Sequence, residues 1–520
     1  MQNRLVGALL LVAIGGILLL GGKYLLAYLD DRTQRSTSDA AHVKGRIRVA
    51  ADSWIGYFPL CSKEMKTAMH RQGWLFECVD DKADYRGRMA ALARGDYELA
   101  VATVDSYLLN GQGHDYPAAI IAVLDESKGG DAIVARKDVA ASLDALRSGH
   151  DIRVAFTPNS PSHHLLKATA HHFDLPALLP PPGPFRLETE GSDKALGRLL
   201  AGTTDIAVLW EPDVSRALGE PGVVKLLGTE DTERLIVDVL LAGRKYLQRQ
   251  PEAVSLVLAT YFKVLKTLRD DPERLRREVS SETGLAAGQV EAMLAGVLWQ
   301  GLLDNCEKWF GIAAPGGTAR EQIVATIDGA VDILVATGDF GQSPVPDRDN
   351  YRLIKRSFLE DLYAGGTAGF TKGQGGFAGD GRKQPTFAPL DAAGWALLAE
   401  VATLKLQPIV FRQGSADLDT LAGTELDLAA EKLGHYPNFR ILVKGHTGTR
   451  GDAESNLLLS RQRAETVAEY LRTRHGIDNN RIHAKGLGGA APLPPRSGEP
   501  PRAYEQRLLR VELVLVREEL

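Results

Sequence analysis

Cysteine is scarce, three in 520 residues, and an odd number excludes a fully paired disulfide framework. One of Cys61, Cys78 and Cys306 must stay free. Excess positive charge is also missing. Lysine and arginine number 61 against 66 acidic residues, a formal net charge of -5, so no basic surface offers itself to a phosphate backbone and nucleic acid is excluded as a partner. The cysteines form no tight cluster with histidine, and adjacent His163 and His164 would point in different directions on a helix. No metal, no other cofactor and no catalytic site is therefore expected.

What is present describes an ordinary globular chain, 44% apolar and 24% charged, long enough for two or three domains. The first segment is different. Leu5 to Gly22 is an uncharged run, and apolar character resumes from Tyr24 to Leu29. That length suits a bilayer-crossing helix, with Lys23 snorkelling to the interface. A cleaved signal peptide is the alternative, but no small-x-small cleavage site follows and Cys61 is too distant to be lipidated. Residues 5–29 are read as a transmembrane signal anchor. This makes the protein single-pass in the inner membrane, with the bulk of the chain in the periplasm.

From Ile47 onward short apolar strands alternate with amphipathic helices: "IRVAA", "KEMKTAMHR", "WLFECV", "YRGRMAALARG", "ELAVAT". The alternation predicts an α/β domain with a largely parallel sheet over residues 46–363, in two lobes with added C-terminal helices. Cys61 opens the first helix and Cys78 ends the second strand at the same sheet edge. A disulfide and two buried thiols both fit that placement. Between Gly365 and Gly381 eight of seventeen residues are glycine, so residues 364–390 read as a flexible linker with a reach of roughly 30 Å. Residues 391–520 form a further unit, able to move relative to the first.

Three stretches of the first domain look like ligand contacts. "DSWIGYFP" places Trp54 and Tyr57 around Gly56 after the first strand. "LDESKGGDAIVAR" carries Ser127, Gly130 and Asp131, with glycines that allow close backbone approach. In "TPNSPSHHLL", Ser160 caps a helix whose first turn holds Ser162 and whose N–H groups favour an anion. With "DIAVLWEP", which adds Trp210 and Glu211, these stretches resemble the periplasmic substrate-binding proteins of the nitrate/sulfonate/taurine type. The resemblance implies two lobes closing on a small ligand, expected to be anionic, with contacts at the ten positions just named.

Near the end, "GHTGTRGDAESNLLLSRQRA" reads as a glycine-bearing loop entering a helix. Asn456, Ser460 and Arg463 share one face of that helix, beside a core stripe of Leu457, Ala464, Ala468 and Leu471. An arginine there can grip a carboxylate. The segment, with "GIDNNRIHAKGLG" and "RVEL", resembles the OmpA-like peptidoglycan-binding domain, which implies a βαβαββ α/β fold and a peptidoglycan stem peptide as partner. In that family a loop aspartate after His-Thr grips the ammonium of diaminopimelate and the helix arginine grips its carboxylate. The resemblance places His446, Thr447, Asn456, Ser460 and Arg463 in the site, but puts Gly448 at the aspartate position. Asp452 is either a substitute for that aspartate or the helix N-cap.

Together these features describe a membrane-anchored periplasmic solute-binding protein tethered to the wall. Two alternatives stay open: a scaffold whose two-lobed fold docks another protein of an envelope complex in the membrane, and a receptor for an ABC transporter.

Overall fold

Strand-forming runs of Val, Ile, Leu and Ala, buried on both faces, organise the first two sheets. In this computed structural model the described residues are 43–147, 151–312, 321–366, 385–412, 414–496 and 498–518. The span read at 5–29, and most of the glycine-rich segment, lie outside them. Among the described residues no helix is long and apolar enough to cross a membrane.

The first sheet begins with β1 (Gly45–Ala51), β2 (Trp74–Asp80), β3 (Leu99–Thr103) and β4 (Ala118–Ser127). The chain then crosses to a second sheet of β5 (Asp131–Arg136), β6 (Val154–Phe156), β7 (Arg186–Glu188), β8 (Ile206–Trp210) and β9 (Val223–Gly228). It returns through β10 (Val237–Gly243) and β11 (Val297–Trp299). The strand orders are β11-β4-β10-β3-β1-β2 and β7-β6-β8-β5-β9. β1 runs parallel to β2 and β3, and β6 runs parallel to β7 and β8. The strands that border each crossing, β5 and β10, pair antiparallel with their neighbours. Two lobes result, joined by residues 128–130 and 229–236. Thr229 ties the two joints together: its hydroxyl accepts from the N–H groups of Gly129 and Asp131 and lies 2.9 Å from Ser127 Oγ.

The question left open at Cys61 and Cys78 has an answer, a disulfide with the Cα atoms 5.6 Å apart. Cys306 is free and buried. β11 is a strand inside a region whose sequence reads as helical. It is placed at the sheet edge by antiparallel pairing with β4 rather than by its own pattern.

The last unit holds β12 (Ala399–Thr403), β13 (Arg440–Gly445), β14 (Ile482–Gly486) and β15 (Val511–Arg517) in the order β12-β15-β13-β14. Helices Thr420–Gly434 and Ala453–His475 connect them, and a further helix, Pro501–Leu508, precedes β15. The expected βαβαββ outline thus becomes βαβαβαβ. The apolar stretch "PIVF" at 408–411 enters no sheet, and Phe411 makes only an isolated bridge to Leu418. Pro408 brings no N–H to a ladder, and β12 occupies the edge of β15 instead.

This unit packs on the second lobe. Lys405 N–H donates to His172 O (2.7 Å), and Arg147 donates to Thr403 O (2.8 Å). His435 accepts from Glu233 N–H through its own carbonyl, and its Nδ1 lies 2.8 Å from Glu233 O. Asn438 donates to Glu230 O. The second joint between the lobes is therefore held from outside.

Candidate functional site

Between the lobes lies a cavity of about 630 Å³, lined from the first lobe by Trp54, Tyr57 and Asp238 and from the second by Asp131, Pro161 and Trp210. Trp54 sets its shape. Its Nε1 donates to Asp125 Oδ1 (3.1 Å), and its backbone N–H donates to Asp52 Oδ1. A Cβ at Gly56 would stand 2.3 Å from that indole nitrogen, and one at Gly130 would stand 2.2 Å from the ring. Both glycines are thus there to let Trp54 lie flat against the backbone of both lobes.

The other residues named from the sequence divide by position. Ser162 donates to Asp131 Oδ1 (2.5 Å) and Ser127 to Oδ2 (2.8 Å), so the serines hold the carboxylate rather than face the cavity. Ser160 caps helix Pro161–Phe173 by accepting from His163 N–H. Glu211 accepts from Ser215 N–H and Oγ, which employs it as a helix cap away from the cavity. His163 stacks on Phe156 (4.3 Å between rings), and His164 is buried 4.0 Å from Asp105. Both are packing residues.

Several members of the site carried no local signal. Asp238, on β10, receives the Tyr57 hydroxyl and sits with Asp125 behind Trp54. Arg88 is 1% exposed and bonds Asp52, Asp81 and Val101 O, so its charge is consumed inside the first lobe. Burial pushes Asp131 up to about 6 and Asp125 up to about 7. Asp238 also lies well above the usual carboxylate range, through burial and then the charge of Asp125. The signal that was legible, β10 as an apolar strand, says nothing of what faces Asp238 across the sheet.

The second site is at the end of β13. His446 and Thr447 are buried there, and His446 Nδ1 and Thr447 Oγ1 have no hydrogen-bond partner within the described residues. Ser460, in helix Ala453–His475, accepts from Gly488 N–H (2.9 Å) and Asn456 donates to Arg450 O (2.9 Å), which fixes the loop to the helix. Arg463 is 7% exposed, lies over the Phe411 ring at 5.0 Å and donates from Nε to Ser415 O. Its two terminal nitrogens have no partner among the described residues.

Residues 410–505 match the OmpA family. The C-terminal unit is an OmpA-family domain.

Relatives share this domain. The peptidoglycan-associated lipoprotein of Rhizobium meliloti is 35% identical over 114 residues, 20% of this chain and 64% of that protein. The peptidoglycan-binding protein ArfA of Mycobacterium tuberculosis is 34% identical over 108 residues, 21% of this chain and 32% of that one. The match therefore spans about two thirds or less of these relatives. The two lobes are similar in structure to the alkanesulfonate-binding protein SsuA from Xanthomonas axonopodis pv. citri bound to MOPS. That likeness has 17% identity and a TM-score of 0.43, and covers 62% of this chain and 98% of that one.

Within the OmpA-family domain two readings change. Leu457 is 49% exposed, outside the core stripe that Ala464, Ala468 and Leu471 form. Asp452 accepts from Ser455 N–H (2.7 Å) as the helix N-cap. Beside Gly448 stands a different acid: a Cβ there would lie 3.1 Å from Glu505 Oε2. Glu505 sits on helix Pro501–Leu508, the element added before β15, and pairs with the exposed Arg450 at 3.2 Å.

Proposed function

We propose that this chain is a membrane-anchored periplasmic protein that captures a small solute between its lobes and is held to peptidoglycan by its OmpA-family domain. The observation that carries the wall-binding half is a buried Arg463 whose terminal nitrogens have no partner among the described residues, together with the Glu505 carboxylate beside Gly448, where the exposed Arg450 pairs with it. Glu505 takes the place of the missing loop aspartate and receives the ammonium of the stem peptide, while Arg463 receives the carboxylate. His446, Thr447, Asn456 and Ser460 shape the loop between them. Asp452 remains a cap. The solute half rests on the aromatic cavity at the crossing of two lobes, the common place for a ligand in such a fold.

The test of wall binding is a pull-down of the full chain on purified sacculi. Arg463→Ala and Glu505→Gln should each reduce retention about tenfold, the loss of one charge-assisted hydrogen bond. Retention unchanged in both sinks the assignment.

The grip of His435 and Asn438 on the lobe joint favours a second reading, in which closure is restrained and the two-lobed fold serves as a docking scaffold. That reading expects no solute to raise the unfolding temperature.

A further inference from the structure

A cleft built for an anion presents free cationic groups or free N–H dipoles to its ligand. At the start of helix Pro161–Phe173 the Ser160 hydroxyl accepts from His163 N–H, and the Ser162 hydroxyl donates to Asp131, so an acid already stands beside that turn. The Arg88 guanidinium is spent on Asp52 and Asp81. With Asp52 paired to Arg88, what remains on the cavity wall is the opposite sign: Asp80, Asp131, Glu190 and Asp238, against the single amine of Lys82.

Charge alone does not define the ligand, but two further features do. Asp238 lines the cavity at 2% exposure, where the Tyr57 hydroxyl donates to it and Asp125 bonds it, and among the described residues no cationic side chain pairs with it. Such a carboxyl lacks a countercharge of its own. The walls around it are aromatic, with Trp54, Tyr57, Tyr85 and Trp210 all lining the cavity. Aromatic faces attract a desolvated organic cation. A bare metal ion fits less well, since no group of three metal-ligating side chains occurs among the described residues. The cavity's volume suits a small molecule rather than an ion.

From this geometry we infer that the interlobe cavity takes an organic cation of the alkylammonium class. Its charged nitrogen meets Asp238 and Asp131, and its alkyl groups lie on Trp54 and Trp210. The inference rests on the solute-binding reading above and replaces the anion expected from sequence.

The experiment is isothermal titration of the full chain in detergent at pH 8. The cationic probes are choline, putrescine and spermidine, and the anionic probes are nitrate, methanesulfonate and sulfate. At least one cation should bind and no anion should. Asp238→Asn, which keeps the side-chain shape, and Trp54→Phe should each weaken that cation at least tenfold, with folding checked by the unfolding temperature. Binding of an anion alone overturns the cation assignment and leaves solute binding standing. Silence of all six probes overturns both, and cation binding indifferent to Asp238→Asn overturns the site.

Discussion

His172 Nδ1 lies 2.8 Å from the Tyr436 hydroxyl, and both side chains are buried where the OmpA-family domain meets the second lobe. Phe173 adds a ring contact to Tyr436 at 5.0 Å. Burial holds His172 well below the usual imidazole range, so it is neutral and able to share that bond at physiological pH. The contact belongs to an interface that also includes the joint residue Glu233.

Tyr436→Phe removes the hydroxyl and leaves a buried ring nitrogen without its partner. The expected loss is about 1–2 kcal/mol of stability with little change in ring packing. Denaturant unfolding of wild type and variant measures it. No change in midpoint would show that the two units do not dock in solution as they do here.

Substitution at Gly130 tests the seat of Trp54. Alanine would place a methyl 2.2 Å from the indole, so the ring must move, at a cost of about 1–3 kcal/mol. Solute affinity should fall at least tenfold, with a shifted tryptophan fluorescence on binding. Gly95→Ala is a poor control, since its backbone is left-handed at φ 87°. Gly197→Ala, with open space around it, serves instead.

Capture of a cation requires ionised carboxyls. Asp131 is held up to about 6 by burial, against the donating Ser162 and Ser127 and with the charge of Glu211 raising it. Asp131 ionises above that value and takes a proton as pH falls through it. Asp238, raised well above the usual carboxylate range by burial and then by the charge of Asp125, gains its charge only at higher pH. Affinity for the cation should therefore rise with pH and be at least about tenfold weaker at pH 5 than at pH 8. A flat titration profile between those limits contradicts the assignment of these groups.

Restoring the family aspartate at Gly448 should not strengthen wall binding by itself. Its side chain would start 3.1 Å from Glu505 Oε2, so two like charges would compete for one place. Gly448→Asp is expected to hold sacculi no better than wild type. Combined with Glu505→Gln, it should recover the roughly tenfold loss of the single Glu505→Gln variant. Sedimentation with sacculi distinguishes these outcomes.

Much of this protein was legible in its sequence, for local reasons. Short continuous apolar runs gave strands, helix starts carried capping serine and aspartate, and Gly95 and Gly476 close helices in the left-handed conformation that favours glycine. The motif from Gly445 to Ala464 located the OmpA-family domain because the loop, Ser460 and Arg463 are contiguous in the chain. Gly130 was recognisable as a place of close backbone approach, although what approaches it was not.

Only the tertiary structure brought the acidic side chains together on the cavity wall and placed Glu505 beside Gly448. Asp238 stands 181 residues from Tyr57, and Glu505 reaches Gly448 from a helix inserted before the last strand. Sequence periodicity reports which face of an element is apolar, but not which charges from distant elements share a space. Electrostatics acts through that space. A helix N-terminus that reads as an anion seat in isolation has an acid beside it once β5 brings Asp131 to the Ser162 hydroxyl.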